Sequence, residues 1–101
     1  MGDRVSISFR NGDEESIALF DHWGGMERVE HARAYVEALR QRRHKGMPLD
    51  RLEPGTVMVD YIREITKDML VIEGNLYVGE MSNPMAGDNS DNGHHVIDLT
   101  A

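Results

Sequence analysis

The sequence predicts a small α+β domain, and three observations carry that reading. An alternating apolar run, Val5-Ile7-Phe9 between Ser6, Ser8 and Arg10, opens the chain and leads into Asn11-Gly12. Two stretches with helical apolar spacing occupy the middle, near residues 26–43 and 56–67. Short β-rich runs return near residues 69–79 and 95–100. Strands and helices that segregate along the chain in this way form a sheet with its helices packed on one face. The expected order is ββ-α-α-β(β)-β, with a mostly antiparallel sheet of four or five strands.

Each element has a local reason. Alternation with period two marks a half-buried strand, and Asn-Gly is a strong signal for a two-residue hairpin turn. Ser16 to Phe20 then reads as the returning strand of an N-terminal hairpin, with Asp13, Glu14 and Glu15 solvated near the turn. Asp21 to Gly25 is a connector. From Met26 to Arg43, Val29, Ala32, Val36 and Leu39 recur at spacings of three and four. Glu27 and Glu30 near the start and Arg40, Arg42 and Arg43 near the end complement the helix dipole. Gly46 and Pro48 stop it. In 56–67 the helical template collects Val57, Met58, Tyr61, Ile62 and Ile65, and the strand template collects Val57, Val59, Tyr61 and Ile65. The better match and the length favour a second helix. Met69 to Val78, broken by Gly74-Asn75, reads either as a hairpin or as one bulged strand. Residues 80–94 carry no apolar period and form a long polar loop before a last strand at 95–100.

Composition sets the exclusions. The 101 residues amount to one domain and hold no cysteine, which removes disulfides, thiolate zinc sites and thiol nucleophiles. No secretory signal pattern is visible at the start, and no apolar run reaches membrane-spanning length. A reducing, cytoplasmic setting is the expectation. The net charge of −7 is uneven: residues 1–67 hold 12 acids against 11 bases, whereas residues 68–101 hold six acids and no Lys or Arg. An acidic last third disfavours nucleic-acid phosphates and anionic membranes and favours a basic protein surface. The one basic cluster, Arg40 to Lys45, lacks interleaved aromatics and reads as a solvated helix end, or as a surface for self-association with the acidic third.

Chemistry-bearing side chains concentrate in Gly87-Asp88-Asn89-Ser90-Asp91-Asn92-Gly93-His94-His95. Asp88, Ser90 and Asn92 with Gly93 match the opening half of an EF-hand loop, but the twelfth position is Leu99 rather than a bidentate Glu. Asp88, Asp91, His94 and His95 are the candidate ligands for a divalent cation (calcium, magnesium or zinc), although adjacent histidines on a strand point to opposite faces. A histidine beside carboxylates is expected to favour its charged form. Asp91 with His94 or His95 could form an acid/base pair, and Ser82 or Ser90 a nucleophile, yet no complete catalytic signature is present. No catalytic residue and no cofactor are therefore assigned. His22 and Trp23 beside two glycines offer an aromatic corner, although a lone Trp is more often packed. The expected function is a non-catalytic binding or regulatory module. Its face would be 80–95 (Asp88, Ser90, Asp91, Asn92, His94 and His95) with His22 and Trp23, and its partner a protein. A divalent-metal domain with hydrolase activity and a structural homo-oligomer are the alternatives.

Overall fold

A computed structural model describes residues 2–41, 52–69, 76–80 and 89–100. The first strand, β1 (Val5–Asn11), is the centre of the sheet. It pairs antiparallel with β2 (Glu14–Glu15) and β3 (Ala18–Asp21) on one side, and parallel with β5 (His94–Asp98) on the other. The strand β4 (Leu76–Gly79) adds antiparallel to β3. Two helices, α1 (Gly25–Gln41) and α2 (Pro54–Thr66), lie between β3 and β4 in sequence. The fold is thus the small α+β arrangement with an N-terminal hairpin and two helices. Among the described residues one pair is parallel, β1–β5, which joins the first strand to the last.

The hairpin turns one residue later than the Asn-Gly signal suggests. Asn11 closes β1, its side-chain amide donates to the Leu52 carbonyl at 2.8 Å, and Gly12 takes the left-handed conformation at φ +64°. The returning strand is broken. Arg10 faces Glu15, yet Ile7 faces Leu19, so the register slips by one residue at Ser16-Ile17. This is a β-bulge, fastened where the Ser16 N–H donates to the Phe9 carbonyl and the Phe9 N–H donates to the Ser16 hydroxyl. Its consequence is parity: beyond the bulge, Leu19 and Asp21 share a face with Ile7 and Val5.

That face meets the helices. Val5, Ile7, Phe9, Leu19, Ile97 and Leu99 join Val29, Ala32, Val36 and Leu39 of α1 and Val57, Met58 and Tyr61 of α2 in one buried cluster. The helical reading of 56–67 holds, with Pro54 opening the helix two residues earlier, where a missing N–H costs nothing. Tyr61 is the keystone. Its ring packs edge-on against Phe9 at 5.5 Å and tilts against Tyr35 at 5.0 Å. Its hydroxyl accepts from Arg28 Nη1 at 3.3 Å and lies 2.9 Å from His31 Nδ1. Arg28 also pairs with the buried carboxylate of Asp21 at 2.9 Å, so β3, α1 and α2 meet in one polar chain at the core's edge.

The end of α1 beyond Gln41, the choice between a hairpin and a bulge at Gly74-Asn75, and the loop positions 81–88, including Asp88 and Ser82, lie outside the described residues.

Candidate functional site

The described part of the late polar segment folds around Arg4. Asp91 accepts from the Arg4 backbone N–H at 2.9 Å and from Arg4 Nε at 3.2 Å. Asn92 returns the contact: its backbone N–H and its side-chain amide both donate to the Arg4 carbonyl, and the amide also reaches Asp3. The turn closes where the Gly93 N–H donates to the Asn89 carbonyl, with Gly93 at φ +79°. The Arg4 backbone N–H and guanidinium hold the Asp91 carboxyl below the usual carboxylate range, and His22 adds a smaller pull in the same direction. His22 belongs to this cluster through the backbone as well, since the Asp3 N–H donates to its carbonyl at 2.9 Å.

The two adjacent histidines part as strand geometry requires. His95 Nε2 donates to the Asn92 carbonyl at 2.8 Å. His94 aligns with Ser6 and enters a buried polar row on the sheet face opposite the helices. There Ser8 Oγ donates to Glu15 Oε2 at 2.7 Å and lies 3.0 Å from His94 Nε2, while Ser6 Oγ lies 2.7 Å from His94 Nδ1 and receives Asn89 Nδ2 at 2.9 Å. Burial pushes the His94 pKa down, and the opposing attraction of Glu15 does not overcome it. This corrects the expectation that neighbouring carboxylates favour the charged imidazole: desolvation outweighs one half-exposed carboxylate.

The structure therefore brings Asp91, Asn92 and His22 together around Asp3 and Arg4, but sends His94 and His95 to different partners. Ser90 is exposed. Trp23 is not packed into the core edge. It is 59% exposed, with its ring 4.6 Å from that of His22, and its backbone N–H donates to Asp21 Oδ1. Among the described residues no three His, Asp or Glu side chains gather as a metal-holding group. Arg40 of the basic cluster reaches across to the Leu99 and Asp98 carbonyls, fastening the end of β5 to α1.

Sequence reasoning passed over Ser6, Ser8 and Glu15. The signal was the strict alternation of Ser with apolar residues in β1, but it became meaningful only once β5 lay beside it. It also passed over a groove between α2 and β4. That cavity of about 270 Å³ is lined, among the described residues, by Leu19, Ile62, Ile65, Thr66, Leu76, Tyr77 and Val78. Val78 beside it and Val59 further along α2 are exposed, Val59 at 68%. With these geometries in hand, comparison with known proteins adds no relative: no family model, curated protein or solved structure matches this chain.

Proposed function

We propose that the chain is a non-catalytic binding module that takes an apolar segment of a partner protein into the groove between α2 and β4. The observation that carries this is the lining: aliphatic and aromatic side chains plus one threonine, with no charged wall among the described residues. Contiguous apolar surface of this kind marks interaction sites. The helix supplies it by excess. At about 100° per residue, the apolar positions of α2 from Val57 round to Val59 sweep roughly 200°, twice the stripe a surface helix needs to meet its own core.

Two further observations support the reading. Asn89, Asp91, Asn92, His94 and His95 of the described late turn are engaged within the protein, so these polar groups serve the fold. The Ser–His–Glu grouping of Ser6, Ser8, His94 and Glu15 places both hydroxyls at 0% exposure, where no substrate atom can approach either oxygen. This reading places the binding face at the groove rather than at the expected 80–95 segment, of which residues 81–88 lie outside the described residues.

The test is selection from a displayed library of random peptides on the wild-type protein. Enriched peptides should carry apolar anchors, and their binding should fall at least tenfold on the Ile62→Lys and Val78→Lys proteins. Enriched peptides that bind both variants undiminished would overturn the reading, as would a selection that enriches nothing.

A further inference from the structure

We propose that β5 is a self-pairing edge: two copies of the chain join antiparallel along its outer side, Val96 against Val96 of the second copy, and carry one sheet across the seam.

The direction of the edge follows from the ladder that holds β5 to β1. The Ser6 N–H donates to the Gly93 carbonyl at 3.1 Å, and the Leu99 N–H donates to the Arg10 carbonyl at 2.8 Å. Along a strand the backbone groups alternate between its two sides, so Gly93, His95, Ile97 and Leu99 turn theirs towards β1. His94, Val96 and Asp98 turn theirs outward. Among the described residues no strand pairs with that outer side. The Asp98 carbonyl accepts from Arg40 Nη2 at 2.7 Å and keeps a second lone pair. Proteins blunt open edges with Lys, Pro or a bulge. The run His94-His95-Val96-Ile97-Asp98 has none of the three, its register against β1 is unbroken, and its central valine is exposed.

The pattern fits a second copy of itself. In an antiparallel pair centred on Val96, that residue exchanges both of its backbone bonds with Val96 of the second copy, and His94 exchanges both of its own with Asp98. A centre on His95 or Ile97 would set the valine against a histidine or an aspartate instead. His94, Val96 and Asp98 share the sheet face opposite the helices, because Ile97 and Leu99 between and beyond them enter the core. The seam therefore lays valine beside valine on that face and sets each imidazole across from a carboxylate, the kind of cross-strand pair that stabilises a sheet.

The helix side of the edge is charge-balanced. There α1 and β5 enclose a groove of about 300 Å³, lined by buried Val36 and Ile97 and by two bases, Arg33 and Arg40, against two acids, Glu37 and Asp98. The whole chain carries −7, yet this rim sums to zero and does not repel its own copy. A two-fold axis at Val96 runs the second α1 antiparallel to the first, so each end of the rim meets the opposite end of the other. A ribbon of five residues is small beside the roughly 1,200–2,000 Å² of a stable complex, so the pair exchanges with the monomer. The seam lies at the sheet edge opposite β4 and leaves the groove between α2 and β4 open, so the pairing does not depend on what that groove binds.

The experiment is sedimentation velocity on the full chain from micromolar to millimolar concentration, with amide hydrogen exchange at both ends of the range. The boundary should move from monomer to dimer as concentration rises. The outward Val96 and Asp98 amides should gain protection with it, whereas the His95 and Ile97 amides, bonded to β1, should be protected throughout. Val96→Lys should abolish the dimer and Val96→Thr should keep it. Val96→Pro removes an N–H that β1 does not use and should abolish it too. Ile62→Lys and Val78→Lys, at the α2–β4 groove, should leave it intact. A chain that stays monomeric at every concentration would overturn the proposal. So would a dimer that survives Val96→Lys, one lost in Ile62→Lys or Val78→Lys, or one in which the Val96 and Asp98 amides exchange as in the monomer. Should the Val96 variants fail to fold, the wild-type concentration series and exchange profile still decide it.

Discussion

Removing one oxygen from Tyr61 separates the two roles its position implies. The side chain is fully buried, and its ring fills the space between Phe9, Tyr35 and His31. Its hydroxyl only tidies the edge of that space, accepting from Arg28 at 3.3 Å and meeting His31 at 2.9 Å. In Tyr61→Phe the ring stays. Arg28 retains its 2.9 Å bond to Asp21, and His31, exposed on α1, turns to water. The expected loss is that of one ordinary net hydrogen bond, about 1 kcal/mol. In Tyr61→Ala the ring goes and a cavity opens beneath α2, which costs about 3–5 kcal/mol. For a domain of this size the first change lowers Tm by roughly 4–8 °C and the second by well over 12 °C. Urea unfolding and thermal melts on both proteins read the difference. If Tyr61→Phe cost as much as Tyr61→Ala, the polar chain rather than ring packing would be holding α2 to the sheet. If neither change mattered, α2 would not be docked as described.

Three further predictions test the connections and the buried phenols. A Cβ on Gly24 would land on the buried Asp21 carboxylate, which is tied to Arg28, so Gly24→Ala should cost about 1–3 kcal/mol of stability in denaturant melts. Gly12→Ala meets no atom within 4 Å and should cost only the left-handed penalty, about 1–2 kcal/mol. At the alkaline end, burial raises the pKa of Tyr35, reinforced by Asp60, and burial raises that of Tyr61 despite the nearby Arg28. Acids whose folded pKa is raised contribute stability that is whole below their unfolded value and lost above it. Stability should therefore fall as pH rises past about 10, and phenolate absorbance should report a cooperative transition that Tyr35→Phe moves upward.

What the sequence made legible was periodic. Val5, Ile7 and Phe9 announce a strand with one apolar face. Val29, Ala32, Val36 and Leu39 announce a helix, and the Val57-to-Ile65 stripe announces its partner. Each signal lies within a few residues of its cause. The bulge at Ser16-Ile17 was hidden because its benefit, bringing Leu19 to the face of Ile7, depends on pairing rather than on local preference. The buried polar row was hidden for the same reason. Ser6 and His94 are 88 residues apart, and nothing local says that β5 runs parallel beside β1. The site residues divide along this line. The late turn stands out in the sequence as chemically dense, but density alone did not reveal that Asp91 and Asn92 would be engaged on Arg4. Trp23 departs from the usual expectation for a lone tryptophan: it is 59% exposed and its ring lies beside that of His22.

The central claim is that the proposed partner-binding surface is the apolar groove, with Asp91 and Asn92 of the late turn engaged on Arg4. The direct measurement is amide shift mapping on ¹⁵N-labelled protein titrated with the best peptide enriched against it. The account predicts that the perturbed amides centre on Leu19, Ile62, Ile65, Leu76 and Val78, with Asp91 to His95 unmoved. Perturbations centred on Asp91 to His95, with the groove silent, would contradict it.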